Sequence, residues 1–236
     1  MRYLGGKQRI VKPLAAVLQP FMDQRGAYVE PFVGGASVIA AIKAPVRIAS
    51  DANRALITMW ASVCRGWVPP SEVSETTYAH YKANPDPSDP MMAFCAVGCS
   101  FSGDWSGGFA RDKTGRNYAA EAARSIAKKA ATLTDVLWQA GDYRDVLTPP
   151  GSVIYCDPPY EGTTGYSGVE GGFDHAAFWQ WCREKSRARH LVFVSEYAAP
   201  PDFLCLWSIE TKTDLRTRGG KEPRVEKLFM YWEGLT

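Results

Sequence analysis

Apolar positions along the chain recur first at helical spacing and then in short continuous runs, and the two patterns alternate. Residues 8–22 place Ile10, Leu14, Val17, Leu18 and Phe21 on one helical face, with Pro20 marking where that helix stops. A short strand is predicted at 27–31, running into Gly34-Gly35. A small-residue helix at 36–43 follows, then a strand at 46–50 and a helix at 52–64 with Leu56, Met59, Trp60 and Val63 on its apolar side. This strand-helix rhythm implies a parallel sheet with helices packed on its faces. The rhythm breaks between residues 66 and 140, where Pro69-Pro70 and the stretch Pro85 to Pro90 punctuate the chain. An inserted, mainly helical subdomain is expected there, and its most regular piece is 119–137, with Ile126, Ala130, Leu133 and Leu137 on one face.

Strand character returns at 152–156, and a helix at 174–187 starts from Asp174 as its N-cap. Apolar runs at 190–194, 203–209 and 225–231 complete the sheet. The last two flank the basic loop 216–221, which predicts an antiparallel pair at one edge. The fold class is therefore α/β and Rossmann-like, mostly parallel with an antiparallel edge hairpin. A main domain of residues 1–65 and 141–236 is expected to carry an insertion of residues 66–140.

Composition narrows the class without naming a chemistry. With 46% hydrophobic and 22% charged residues among 236, the chain can bury one sizeable core. No apolar run approaches the roughly 20 residues that span a bilayer, and the first residues lack a signal peptide's apolar stretch. A soluble, cytoplasmic protein is expected. The six cysteines are scattered through apolar runs and suit buried thiols, and His80, His175 and His190 have no metal-ligand spacing, so no metal is expected. Charge is segregated: residues 1–12 carry four basic and no acidic groups, 111–129 six and two, 212–227 six and three. Three basic strips in a chain of net charge +2 suit a polyanion, although solvated faces give the same pattern.

Two segments carry candidate chemistry. Tyr28 to Val38 reads as strand, tight glycine turn and helix start. Gly34 and Gly35 allow close approach of a ligand, and exposed amides offer a site for a carboxylate. Asp51 closes the next strand, where doubly wound folds place an acidic side chain on ribose hydroxyls, although it could equally cap the following helix. The Gly-x-Gly-x-x-Gly dinucleotide fingerprint is absent, which argues against a nicotinamide dehydrogenase. The second segment is an apolar strand, Val153 to Cys156, ending in Asp157-Pro158-Pro159-Tyr160. Two prolines stiffen the turn and remove two N–H donors, leaving a carboxylate, carbonyls and an aromatic ring at the sheet's carboxyl edge. Such a set suits an aromatic amine: the Asp157 carboxylate and Pro158 carbonyl would accept its two N–H bonds while Tyr160 stacks on the ring. As a bare four-residue pattern it also fits an ordinary strand-ending turn.

Taken in order, these residues resemble the Dam family of DNA adenine methyltransferases over nearly the whole chain. Tyr3 to Lys7 is similar to the family's aromatic-x-Gly-Gly-Lys motif, which contacts the methionine part of the cofactor. Glu30 to Val38 is similar to its Glu-Pro-Phe-x-Gly turn, Asp51-Ala52-Asn53 to its ribose motif, and Tyr155 to Tyr160 to its catalytic motif. Gly141-Asp142-Tyr143 resembles the segment beside the cofactor's adenine. Thr164, Tyr166 and Phe173 resemble a mobile loop after the catalytic turn, and Gly219-Gly220-Lys221 to Tyr231 resembles the closing hairpin. The resemblance implies S-adenosylmethionine as cofactor, held by Tyr3, Gly6, Lys7, Glu30, Pro31, Phe32, Gly34, Gly35, Ser37, Asp51, Asp142, Tyr143 and Asp157. It implies catalysis by Asp157, Pro158, Pro159 and Tyr160 on an adenine N6 flipped out of double-stranded DNA. Where relatives often have a third glycine, this chain has Ala36.

The insertion is only loosely similar to the family's target-recognition region. Arg111, Lys113, Arg116 and Asn117 are the candidates for base edges. Arg124, Lys128, Lys129, Arg216, Arg218 and Lys221 are the candidates for phosphates. Phe101 is expected in the subdomain's own core, while Trp105 suits either core or a wedge between bases. A monomer or weak dimer is expected. Cytosine N4, an RNA adenine or a protein glutamine remain alternative acceptors, and a catalytically idle DNA-binding relative is the alternative of a different class.

Overall fold

The computed structural model describes residues 3, 5–111, 115–162, 172–211 and 224–232. The chain packs as two compact units, residues 1–147 and 148–236.

The first unit opens on a 3-10 turn, Lys7–Arg9, followed by α1 (Val11–Leu18), which buries Leu14 and Leu18, and a second 3-10 turn at Gln19–Met22 that accommodates Pro20. Strands β1 (Ala27–Glu30) and β2 (Val46–Asp51) run parallel with Val29 opposite Ile48, and every residue of β1 is buried. Helix α2 (Arg54–Cys64) is capped by Asn53, whose side chain accepts from the Leu56 N–H, and it buries Leu56, Met59, Trp60 and Val63. Then come α3 (Glu75–Ala83) and a single turn, α4 (Pro90–Ala93), that continues into a π-helical segment, Phe94–Gly98. Helix α5 (Tyr118–Ala130) leads to β3 (Val136–Ala140), which pairs parallel with β2.

Three expectations fail in this unit. Residues 37–41 form successive turns where a helix over 36–43 was expected. The Val38 carbonyl accepts from both Ala41 and Ile42, while the carbonyls of Ile39 and Ile42 turn to the buried guanidinium of Arg47 on β2. A side-chain donor thus takes the acceptors that a helix would have used. Helix α5 stops at Ala130, and the rest of the periodic stretch becomes a loop and β3, so Leu133 is buried in the loop while Leu137 stands exposed on the strand. The Thr132 carbonyl goes to the same Arg47. Phe101, expected in the core, is 64% exposed in a 3-10 turn whose Ser102 has φ +57°. Phe109 packs instead, its ring tilted against Tyr78.

In the second unit β4 (Val153–Cys156) pairs parallel with β5 (Leu191–Glu196), and both are buried nearly throughout. Between them α6 (His175–Arg187), capped by Asp174, buries Phe178, Trp179, Trp181 and Cys182. Strand β7 (Arg224–Tyr231) lies antiparallel between β5 and β6 (Phe203–Thr211), which is bulged between Cys205 and Trp207. Parallel strands flanked by helices, with an antiparallel edge pair, make this the Rossmann-like α/β class expected from the sequence. The six cysteines are free thiols, and no helix among the described residues is long and apolar enough to cross a membrane.

Candidate active site

The candidate residues of the first unit gather at the glycine turn after β1. Its backbone is held from four directions. The Val33 N–H donates to the Ser50 carbonyl, and the Ala36 N–H closes the turn on the Val33 carbonyl, at 2.8 Å each. The Gly34 N–H donates to Asp51 at 2.9 Å, and the Trp60 indole N–H donates to the Gly34 carbonyl at 3.0 Å. Gly34 has φ +43°, and a Cβ there would lie 2.8 Å from the Tyr3 ring. Tyr3 and the turn are therefore packed face to face, and the turn needs glycine for both conformation and space. Ala36 also takes a left-handed φ, +50°, at the position where glycine was noted as usual.

Polar groups gather around this turn. Glu30 is buried and accepts the Tyr28 hydroxyl at 2.8 Å, while Lys7 is buried with its ammonium on the Gly5 carbonyl at 3.2 Å. Gly6 and Pro31 lie beside them, a Cβ on Gly6 meeting the Tyr3 carbonyl at 3.0 Å. Asp51 does not cap α2, because Asn53 does. Its two oxygens accept the N–H groups of Gly34 and Asn53, both at 2.9 Å. Burial pushes the Asp51 carboxyl up to about 6 against the pull of those two bonds. Phe32 and Tyr143 stack with centroids 5.4 Å apart, an aromatic pair joining the strand end to the Asp142 segment. Asp142 caps that segment and is bound bidentately by its neighbour Arg144, which holds its carboxyl below the usual range.

Lys129 departs from its expected role. Its ammonium, expected on DNA phosphates, turns inward from α5 to the Gly35 carbonyl and the Ser37 hydroxyl, 5.8 Å from the centre of the Trp60 ring. Burial draws it down to about 8, with the Glu30 carboxylate opposing the fall.

In the second unit the candidate residues lie in the turn at the carboxyl end of β4. Asp157 and Tyr160 are half-buried there, with Pro158 buried and Pro159 half-buried between them. The Tyr160 hydroxyl donates to Glu226 on β7 at 2.7 Å, and its ring meets Tyr197 edge-on at 4.6 Å. Burial and the charges of Asp157 and Glu226 hold the phenol well above its ordinary value. Glu196, at the end of β5, is buried and accepts the N–H groups of Glu161, at 3.1 Å, and Tyr197, at 2.7 Å. Burial lifts its carboxyl from 4.5 to about 7, and the charges of Asp157 and Glu161 add to the rise. Sequence reading missed Glu196. A carboxylate closing an apolar strand, beside the strand that ends on Asp157, was the available signal.

The candidate base readers lie on the insertion. Arg111 pairs with Glu75, and Arg116 is bound bidentately by Glu121 with its guanidinium 5.2 Å from the Tyr118 ring centre. Asn117 caps α5, its side-chain oxygen accepting the Ala120 N–H at 2.8 Å. Arg124 and Lys128 are exposed on α5. Lys113, Thr164, Tyr166, Arg216, Arg218 and Lys221 lie outside the described residues, as do Gly219 and Gly220. Among the described residues no cluster of histidine, cysteine or acidic side chains could hold a metal.

Residues 3–83 match the family model described as D12 class N6 adenine-specific DNA methyltransferase. That segment, about a third of the chain, is similar to the adenine methyltransferase family. The match takes in Tyr3, Lys7, the glycine turn and Asp51, and ends before the Asp157 turn. No curated protein sequence matches the chain. Among solved structures it is similar to the rRNA methyltransferase aviRa of Streptomyces viridochromogenes, at 14% identity, 94% of this chain and 84% of that one, TM-score 0.41. A putative methylase of Haemophilus influenzae is similar at 13% identity, 95% and 89% coverage and TM-score 0.37. A putative methyltransferase complexed with SAH has 13% identity, 96% and 52% coverage and TM-score 0.37.

Because Asp51 and Glu196 have folded values above their ordinary ones, folding holds protons on them that the unfolded chain has released. Their contribution to stability is present at low pH and is lost as pH rises, from 4.5 to about 7 for Glu196 and from 3.8 to about 6 for Asp51. Between pH 6 and 7 the thermal midpoint of the wild type should therefore fall, and Glu196→Gln should flatten that decline. Circular dichroism melts at pH 5, 6 and 7 measure it. A decline unchanged in Glu196→Gln would mean another group is responsible.

Proposed function

We propose that the chain transfers a methyl group from S-adenosylmethionine to the N6 amine of an adenine flipped out of double-stranded DNA. The observation that carries this reading is the family match of residues 3–83, in a chain whose buried strand β4 ends on Asp157-Pro158-Pro159-Tyr160.

The residues present fit the cofactor. A glycine turn too tight for a Cβ, an acidic side chain at the end of β2 and the Phe32 and Tyr143 rings suit the methionine, ribose and adenine parts of a nucleoside. In this reading Tyr3, Gly6, Lys7, Glu30, Pro31, Gly34, Gly35 and Ser37 hold the methionine end, Asp51 the ribose, and Phe32, Asp142 and Tyr143 the adenine. When bound, the cofactor supplies an electrophilic sulfonium methyl. The Asp157 carboxylate and the Pro158 carbonyl accept the two N–H bonds of N6 and orient its lone pair. Asp157 also faces the positive charge that develops on nitrogen, without reorganising to do so. Tyr160, anchored through Glu226 and Tyr197, offers a fixed surface for the base.

Residues 66–140 form the target-recognition insertion in this proposal, with 1–65 and 141–236 as the catalytic domain. Arg111, Arg116 and Asn117 face base edges, and Arg124 and Lys128 face phosphates. Lys113, Arg216, Arg218 and Lys221 complete the DNA contacts. Free cysteines suit a reducing cytoplasm. Incubation with labelled S-adenosylmethionine and unmethylated duplex DNA, followed by digestion to nucleosides, should give N6-methyladenine. N4-methylcytosine, or label on RNA alone, would move the acceptor to one of the other amines. No label on any nucleic acid, with cofactor bound, would indicate a binding protein.

A further inference from the structure

We propose that Lys129 is a positioning residue for cofactor binding, clamping the Gly35–Ala36 peptide in the turn after β1. The inference rests on the functional reading above and adds to it a residue from the insertion helix.

Three observations combine. Lys129 reaches from α5 across 92 positions of sequence to the Ser37 hydroxyl at 2.8 Å, and it also donates to the Gly35 carbonyl. That carbonyl belongs to the peptide whose N–H, on Ala36, closes the turn on Val33 at 2.8 Å. Both ends of one peptide plane are therefore fixed by hydrogen bonds, and the residue that follows the plane has a left-handed φ of +50° although it carries a Cβ. An alanine in that conformation is strained, and released from its restraints it would relax toward negative φ. Relaxation would shift Gly35 and Ser37, on either side of Ala36, which the functional reading places against the methionine end of the cofactor. A buried cation is also costly unless it is hydrogen-bonded, so a lysine with helix-surface alternatives is held here by the turn's acceptors.

The clamp predicts a specific pattern of effects. Lys129→Met keeps the length and the apolar stem and removes the donors. It should raise the dissociation constant for S-adenosylhomocysteine about tenfold, the equivalent of roughly 1.4 kcal/mol, the scale of a hydrogen bond from a charged group. Duplex DNA affinity should stay within about twofold, because the ammonium is turned away from solvent. Ala36→Gly removes the strain that the clamp opposes, so the double variant Lys129→Met/Ala36→Gly should recover most of the lost affinity. Titration calorimetry with S-adenosylhomocysteine and a salt series with duplex DNA measure these, after circular dichroism confirms folding. Unchanged cofactor affinity in Lys129→Met, with cofactor bound by the wild type, would overturn the inference alone. A cofactor loss in Lys129→Met that Ala36→Gly does not relieve would also overturn it. Wild-type protein that binds no S-adenosylhomocysteine would overturn the functional reading, and the clamp with it.

Discussion

Asp157→Ala is expected to lower the rate of methyl transfer to DNA by about 10²- to 10³-fold at saturating cofactor while leaving the fold intact. The expected size follows from what the side chain supplies. It is an acceptor fixed at the place where charge develops, and losing one such preorganised group costs on that order. The half-buried side chain sits on a turn stiffened by Pro158 and Pro159 at the end of a buried strand, so truncation leaves the backbone in place. Turnover on unmethylated duplex and calorimetry with S-adenosylhomocysteine, run on the same preparation, separate chemistry from binding. Transfer at the wild-type rate would sink the assignment of the catalytic turn.

Arg47→Met is expected to have the largest effect on stability, about 3 to 5 kcal/mol, with a thermal midpoint lower by roughly 10 °C or more. Its guanidinium is buried and pairs with Asp135, whose own side chain is 56% exposed, so the ion pair by itself contributes little. The weight lies in the carbonyls. Ile39 accepts at 3.0 Å, Ile42 at 3.4 Å and Thr132 at 2.6 Å, and removing the donor leaves two buried acceptors and one part-buried acceptor unmet. Denaturant titration of the two proteins provides the comparison. A loss under about 1 kcal/mol would mean those carbonyls find water at little cost.

The same arginine marks the boundary of what the sequence made legible. Strands β1, β2, β4, β5, β6 and β7 and helices α1, α2 and α6 follow from continuous apolar runs, helical period and capping residues, which are local signals. The stretch 36–43 is small and apolar enough for a helix. What decides against one is a guanidinium from β2, which no local pattern records. Likewise the periodicity of 119–137 continues past Ala130 only as a coincidence of apolar residues serving first a helix, then a loop, then β3. At the candidate site, Gly34, Asp51 and Asp157 could be named because their chemistry is unusual at strand ends, and Tyr3 through the family resemblance alone. Lys129 and Glu196 could not. A lysine between Lys128 and Ala130 on an amphipathic helix reads as solvated, and its inward turn depends on acceptors more than 90 positions away. Glu196 acquires meaning only when β5 is placed beside β4.

The partners already held by Arg111, Arg116 and Asn117 have a consequence for how selective the proposed enzyme would be. Each would have to give up Glu75, Glu121 or the helix cap before touching a base edge, so contact with DNA becomes a trade of one bond for another. A cognate site refunds the trade, whereas a mismatched site leaves a carboxylate or a helix end stranded. Such a reader would grip all DNA loosely and choose among sequences by what it loses on the wrong ones.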